Sequence, residues 1–593
     1  ALLFAVARVG GARSQARLAA AVAEPIETAG RRDTAALEAM GMLCARLHPA
    51  TAEGLEAVAG RLLVGDATAR AAAYVVDRCA GPSAELLAGA VRGTLVERLT
   101  PMLDSPDEAL ARRAWKAIAG LGEVPTTTPP SLLSASPPGW RVEVEAVRAL
   151  AGHADGRAVL VDRLAARSPA DFEGPRVHVL LESLRGLRDA VVGSPELRAK
   201  LSPLLQAAHA ERGSATARRL KALALIDCEA ELLSAIGTGT LERLLACADG
   251  APTLPDGYAD VLAVEAILRM GAAIPREDKA KMLLERAADP RPRVASAALA
   301  ALVDVDDARI PGVLALALAR ADVGVQAAAA TAIATRSSDR ARRDESVVAA
   351  LEHAVKTWPN ATAIEGRIAA VMALGNLARS RGRDKDGVQS APWLESTLLP
   401  LASDPAVSIR RAAADALAHV PTLRARFEQA AAIQQAAPFD ATLTDQLASL
   451  EGVTGLRMTT SAGVMTMRFE GAAPYNQATV TTLADKGFYD GLTMHRVVPG
   501  FVIQGGDPRG DGYGGPGFLV PCERSNQKYE RGVVGMALAG KDTGGSQFFV
   551  AQDREPRLDG RYTILGRVTE GLDVLDRVLP HDEILRVEVV RGG

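Results

Sequence analysis

A long array of paired α-helices followed by a small antiparallel β-barrel is the fold that this 593-residue sequence predicts. Three observations predict it. Through residues 1–435 a turn residue followed by an alanine-rich amphipathic run recurs about every 33 to 42 residues. Near residue 436 the composition shifts, and beyond Leu450 lie 11 of the 21 aromatic residues and 24 of the 54 glycines, in about a quarter of the chain. The apolar pattern there changes from helical spacing to short alternating runs, the period of strands.

The helical units begin at Asp33, Asp66, Asp104, near Trp140 and Pro175, at Ser214, Asp256, Asp289 and Asp322, near Ile364 and at Asp404. That spacing belongs to two-helix repeats, which cannot bury an apolar face singly and do so by stacking. Two units show the pattern best, DPRPRVASAALAALVDV from Asp289 and DPAVSIRRAAADALAHV from Asp404. Asp is placed to cap the helix, Pro sits early where its missing N–H costs nothing, and Val407, Ala414 and Leu417 fall on one expected face. With the acidic turn residue and Arg410 on the following helix, the array resembles the HEAT repeats. That resemblance implies an extended surface for protein partners; a spacer without a specific partner is the other reading.

Bulk properties narrow the function classes. With 68 basic and 71 acidic residues the net charge is -3, which gives no electrostatic case for nucleic acid or an anionic membrane. No apolar run approaches the length of a membrane helix. Cys44, Cys79, Cys228, Cys247 and Cys522 show neither CxxC nor metal-ligand spacing, so buried thiols are expected rather than a disulfide framework, a metal site or a cofactor. The chain begins at Ala1 without Met, which leaves room for an upstream export signal, so bacterial cytoplasm and periplasm both stay open. Residues 125–138 and 380–390 are expected to be surface loops, and 436–452 a linker or terminal cap.

From residue 453 to 593 the strands follow closely. LRMTTSAGVMTMRFEG reads as a hairpin, Pro474 to Lys486 as a helix, and VVGMALAG, SQFFVAQ, TILGRV and ILRVEVV as further strands. EGLDVLDRVL from Glu570 reads as a second helix. The predicted domain is a closed antiparallel barrel with two helices. Its central stretch, FYDGLTMHRVVPGFVIQGGD from Phe488 to Asp507, sets Arg496 and Gln504 on neighbouring strands about a Pro499-Gly500 turn, beside an apolar group.

That stretch is followed, in order, by GDGYGGPGF, GVVGMALAG, GGSQFFV and LDGRYTILGRV. Together they resemble the cyclophilins, peptidyl-prolyl cis-trans isomerases, across nearly all of residues 455–590. The resemblance implies Arg496 and Gln504 as catalytic residues. It implies a proline pocket of Phe501, Val502, Phe549, Leu558 and Tyr562, with Gln547 holding the peptide's polar groups and Ala537, Leu538 and Ala539 bordering the groove. Val502, Leu538, Arg557 and Tyr562 depart from the commoner methionine, asparagine, tryptophan and histidine; Arg557 in place of tryptophan implies weak binding of cyclosporin-type ligands.

The chemistry suits these residue types without the name. Twisting an X-Pro amide breaks C–N resonance across a barrier of roughly 20 kcal/mol, and no bond is made or cut. A fixed donor aimed at the prolyl nitrogen stabilises only the twisted state, and arginine supplies one that stays charged. His495 should point away from the site, Cys522 stands alone, and Gly510, Gly512 and Gly515 fit GxGxxG without the following helix that a nucleotide site needs. Two functions are therefore expected in competition: an isomerase acting on proline-containing polypeptides held by the array, or a non-catalytic scaffold whose barrel binds proline-containing segments.

Overall fold

The computed structural model describes residues 31–44, 52–63, 66–79, 90–123, 139–167, 174–192, 258–269, 275–335, 344–381, 391–432, 446–470 and 473–592, with a few isolated positions besides. The unit expected at Ser214, and residues 126–138, 382–390 and 433–445, lie outside the described residues. Helices start near the other repeat positions, including Arg31–Cys44, Asp66–Cys79, Glu108–Leu121, Trp140–Ala151, Tyr258–Arg269, Pro292–Ala301, Val323–Thr335, Asn360–Arg381 and Val407–Ala416. They stack about two apolar cores. One gathers residues from Leu18 to Leu187, the other from Leu262 to Phe427.

Three details differ from the expectation. Cys44 and Cys79, one repeat apart at the ends of neighbouring helices, form a disulfide. Sequence spacing hides such a pair, because stacking and not local sequence brings the helix ends together. Asp289 and Asp404 do not cap their helices: their carboxylates accept the N–H of Arg291 and Ala406, two residues on, and so close the turn before the helix. Asp322, by contrast, does accept the N–H of Val325. In the Asp404 unit Leu417 is buried as expected, together with Ile409, Ala412, Ala413 and Ala416, whereas Val407 and Ala414 sit at the edge of that face. The helix begins at Val407, which lies in its first turn.

Residues 453–591 form nine strands: β1 Val453–Thr460, β2 Gly463–Phe469, β3 Thr493–Met494, β4 Arg496–Val498, β5 Val502–Gly505, β6 Val533–Met536, β7 Phe548–Ala551, β8 Ile564–Glu570 and β9 Asp582–Arg591. Their order is β3-β9-β1-β2-β8-β6-β7-β5-β4, all antiparallel, and since β3 runs into β4 one residue later the sheet nearly closes on itself. The helix Pro474–Asp485 turns Val480, Leu483 and Ala484 onto the core of the barrel. The second helix expected from Glu570 is instead the end of β8 and a single 3-10 turn, Val574–Asp576. Gly571, at φ +78°, separates the two, and a Cβ there would lie 2.1 Å from the Val464 carbonyl oxygen. Only glycine allows that close approach.

The barrel is not carried at the end of an arm; the array folds around it. Leu579 of the barrel is buried in the first helical core, and Ala539 packs against the second. The helix Arg31–Cys44 packs on the 3-10 turn Pro556–Leu558. Glu38 pairs with Lys528 and Arg554, Arg112 with Asp553, and Arg141 with Asp576.

Candidate active site

β4 and β5 are joined by a tight turn that places Arg496 directly opposite Gln504. Gly500 has φ +73°, which suits glycine, and its N–H donates to Gln552 Oε1 at 2.8 Å. Arg496 is exposed, and its Nη1 donates to Gln504 Oε1 at 3.3 Å. Gln504 Nε2 donates onward to Gln547 Oε1 at 3.0 Å, and Gln547 Nε2 to the carbonyls of Gly512 and Gly514, each at 2.8 Å. This relay fixes the orientation of both amides and steadies the guanidinium. Burial and the neighbouring Arg557 guanidinium lower the pKa of Arg496, yet an arginine stays charged at neutral pH.

The relay ends on a loop that folds around Asp507. Its almost fully buried carboxylate accepts the N–H groups of Arg509, Asp511 and Gly512. A Cβ at Gly514 would sit 1.9 Å from Asp507 Oδ1, so the glycine-rich sequence is needed for the loop to close.

Beside Arg496, the residues Val502, Phe549 and Leu558 join Tyr529, Val533, Ala551 and Ile564 in a separate small cluster, with Phe501, Ala537 and Tyr562 at its open edge. Phe549 meets Tyr562 edge-on at 5.6 Å and stacks on Tyr529 at 5.5 Å. Val502 is 2% exposed and so forms the floor rather than the rim. Leu538 packs against the main barrel core and also lines the groove. The expected site residues thus come together, with Leu538 and Ala539 at the far end of the groove.

Sequence reasoning named Arg557 only as a departure from tryptophan and missed other neighbours. Arg557 lays its guanidinium 3.9 Å from the Phe501 ring centroid, while Arg496 lies 5.7 Å from the same ring, so two cations flank the apolar slot. Tyr529 is fully buried beneath Phe549, where desolvation holds its hydroxyl well above the ordinary range. The largest omission is the array. Arg112 Nη2 and Lys116 Nζ both donate to the Gly500 carbonyl at 3.3 Å, and Arg148 Nη1 to the Pro499 carbonyl at 2.9 Å. On the opposite side Arg509 makes a two-pronged pair with Asp322 at 2.7 and 2.8 Å, and Arg293 Nη2 donates to the Gly510 carbonyl at 2.7 Å. No local signal marks these residues, since an arginine on a helix is ordinarily solvated.

His495 lies between β3 and β4, and burial lowers its pKa. The Cys522 thiol is pushed up by burial and accepts the N–H of Asp542, which makes it a poor nucleophile.

Comparison with known proteins agrees with the geometry. The family described as cyclophilin type peptidyl-prolyl cis-trans isomerase matches residues 455–586. Peptidyl-prolyl cis-trans isomerase B of Bacillus subtilis is 49% identical over 120 residues, which is 20% of this chain and 84% of that protein. A peptidyl-prolyl cis-trans isomerase of Helicobacter pylori is 50% identical over 116 residues, 19% of this chain and 71% of the relative. A crystal structure of a Cryptosporidium parvum cyclophilin aligns at 28% identity and a TM-score of 0.23, covering 24% of this chain and 99% of that one. The chain therefore belongs to the cyclophilin family and is an enzyme of the peptidyl-prolyl cis-trans isomerase class.

Proposed function

We propose that Arg496 is the residue that lowers the barrier, by donating to the prolyl nitrogen as the X-Pro amide twists. In the planar amide that nitrogen's lone pair is delocalised; in the twisted state it becomes an acceptor, so the donor favours the transition state over either ground state. Phe501, Phe549, Leu558 and Tyr562 hold the proline ring, with Val502 beneath and Ala537 at the edge. Gln504 and Gln547 orient Arg496 and the peptide's polar groups, and Leu538 and Ala539 border the groove. The observation that carries this reading is the relay from Arg496 through Gln504 and Gln547 to the Asp507 loop, set beside an apolar slot.

The HEAT-like array, residues 1–435, acts on this reading as the protein-interaction scaffold, with 436–452 as a connection and 453–593 as the catalytic domain. Clients are proline-containing polypeptides. The Cys44–Cys79 disulfide favours an oxidising compartment such as the periplasm over the cytoplasm. Among the described residues no helix is long and apolar enough to cross a membrane. NMR exchange spectroscopy on an Ala-Pro peptide with the full chain tests the catalytic reading. Faster exchange that an Arg496→Ala variant loses is expected; equal exchange with both proteins would leave only the non-catalytic scaffold.

A further inference from the structure

One feature of the site is unused by the isomerisation chemistry. A cavity of about 390 Å3 opens at Gln504 and Gln547, passes Ala537–Ala539 and the Asp507 loop, and is roofed by the array. The roof consists of Val323, at the start of its helix, and of Ala361, Ile364 and Glu365 from the helix Asn360–Arg381. We infer that Glu365 is a specificity-determining residue of the isomerase, receiving a lysine or arginine side chain carried by the substrate a few residues from the isomerising proline. This rests on the isomerase reading of the neighbouring site.

Charge in the cavity is unbalanced in a particular way. Arg509, its cation, is already committed to Asp322 and Asp511, and Arg293 nearby is committed to the Gly510 carbonyl. Glu365 has no such partner: among the described residues, the charges that act on it are Asp507 and Asp511, both of its own sign. Burial first, and then those two carboxylates, push its carboxyl up to about 7. An acid in this position is costly to ionise alone and gains most from an incoming cation. Val323 and Ile364 line the same wall and would cover the methylene stem of a lysine or arginine, as long cationic side chains require. The cavity volume falls within the ordinary size of a ligand pocket. It is continuous with Gln504, which contacts Arg496, so a peptide with its proline in the slot runs one flank into it.

The test is a lysine scan on the full chain at pH 8. Peptides with one Ala-Pro bond carry lysine, glutamine or glutamate at successive positions on either flank, and kcat/KM is read by NMR exchange. One position should favour lysine over glutamine by about tenfold and disfavour glutamate, with the advantage shrinking as salt rises. In Glu365→Gln the lysine-to-glutamine ratio should fall close to one, while Glu365→Asp should keep part of it. No lysine preference at any position, or a preference that survives in Glu365→Gln, would overturn the inference. Failure of the underlying reading looks different: exchange would be insensitive to Arg496→Ala. A flat lysine scan with Arg496-dependent exchange would sink only the role of Glu365.

Discussion

The two flanks of the candidate site are held by the same array in opposite ways. On one side the Pro499-Gly500 turn is sealed, its carbonyls taken by Arg112, Lys116 and Arg148. A Cβ on Gly500 would already meet Glu145 Oε1 at 2.7 Å. On the other side the array anchors the Asp507 loop through Asp322 and Arg293 but then stands off, leaving the cavity under Glu365. A sealed flank suits fixing the β4–β5 hairpin and hence the aim of Arg496. An open flank suits admitting and choosing substrate. On the proposed reading, one helical array serves both geometry and selection.

That division can be broken in steps. The largest expected effect lies between the flanks: Arg496→Ala should lower kcat/KM about 100-fold or more, the usual loss for a removed transition-state donor. Next comes the sealed side. Arg112 is buried against Asp553, so Arg112→Ala leaves a carboxylate without its partner. A loss on the order of 3 kcal/mol in denaturant unfolding is expected.

On the open side, Gly514→Ala forces a Cβ into the Asp507 carboxylate and should cost about 2 kcal/mol, with a raised KM as the acceptors of Gln547 shift. The smallest effect has a sign set by titration. Glu365 is raised from 4.5 to about 7 in the fold, so its stabilising protonated form is fully present below about 4.5 and is lost as the pH rises towards 7. Glu365→Gln should therefore melt higher than the parent at pH 8, by on the order of 1–2 kcal/mol, with the gain shrinking towards pH 5. An equal gain at both pH values would contradict the assignment.

The Arg496 flank was legible in the sequence because its signals are local. Alternation put Arg496 opposite Gln504, the glycines announced the Asp507 loop, and the repeat period placed the helices. What was not legible depends on elements distant in the chain. Cys44 and Cys79 are 35 residues apart and meet only through stacking. Arg509 and Asp322 are 187 apart, and Asp322 looks in the sequence like any turn aspartate. EGLDVLDRVL has helical spacing, yet Gly571 and the short run beyond it allow only a 3-10 turn, because the strand packing at Val464 decides the backbone there. Glu365 carries no signal at all; its meaning comes from the barrel set over it.

The most direct test of an array built around the isomerase site is a double-mutant cycle on Asp322 and Arg509, with stability read by denaturant unfolding of the full chain. Burial would raise Asp322, yet the hydrogen bonds from Arg509 and from backbone N–H groups hold its carboxyl below the usual range, the mark of a formed pair. The account predicts a coupling of about 1 kcal/mol or more between Asp322→Ala and Arg509→Ala. Losses that simply add, within about 0.5 kcal/mol, would mean that array and barrel do not share this contact.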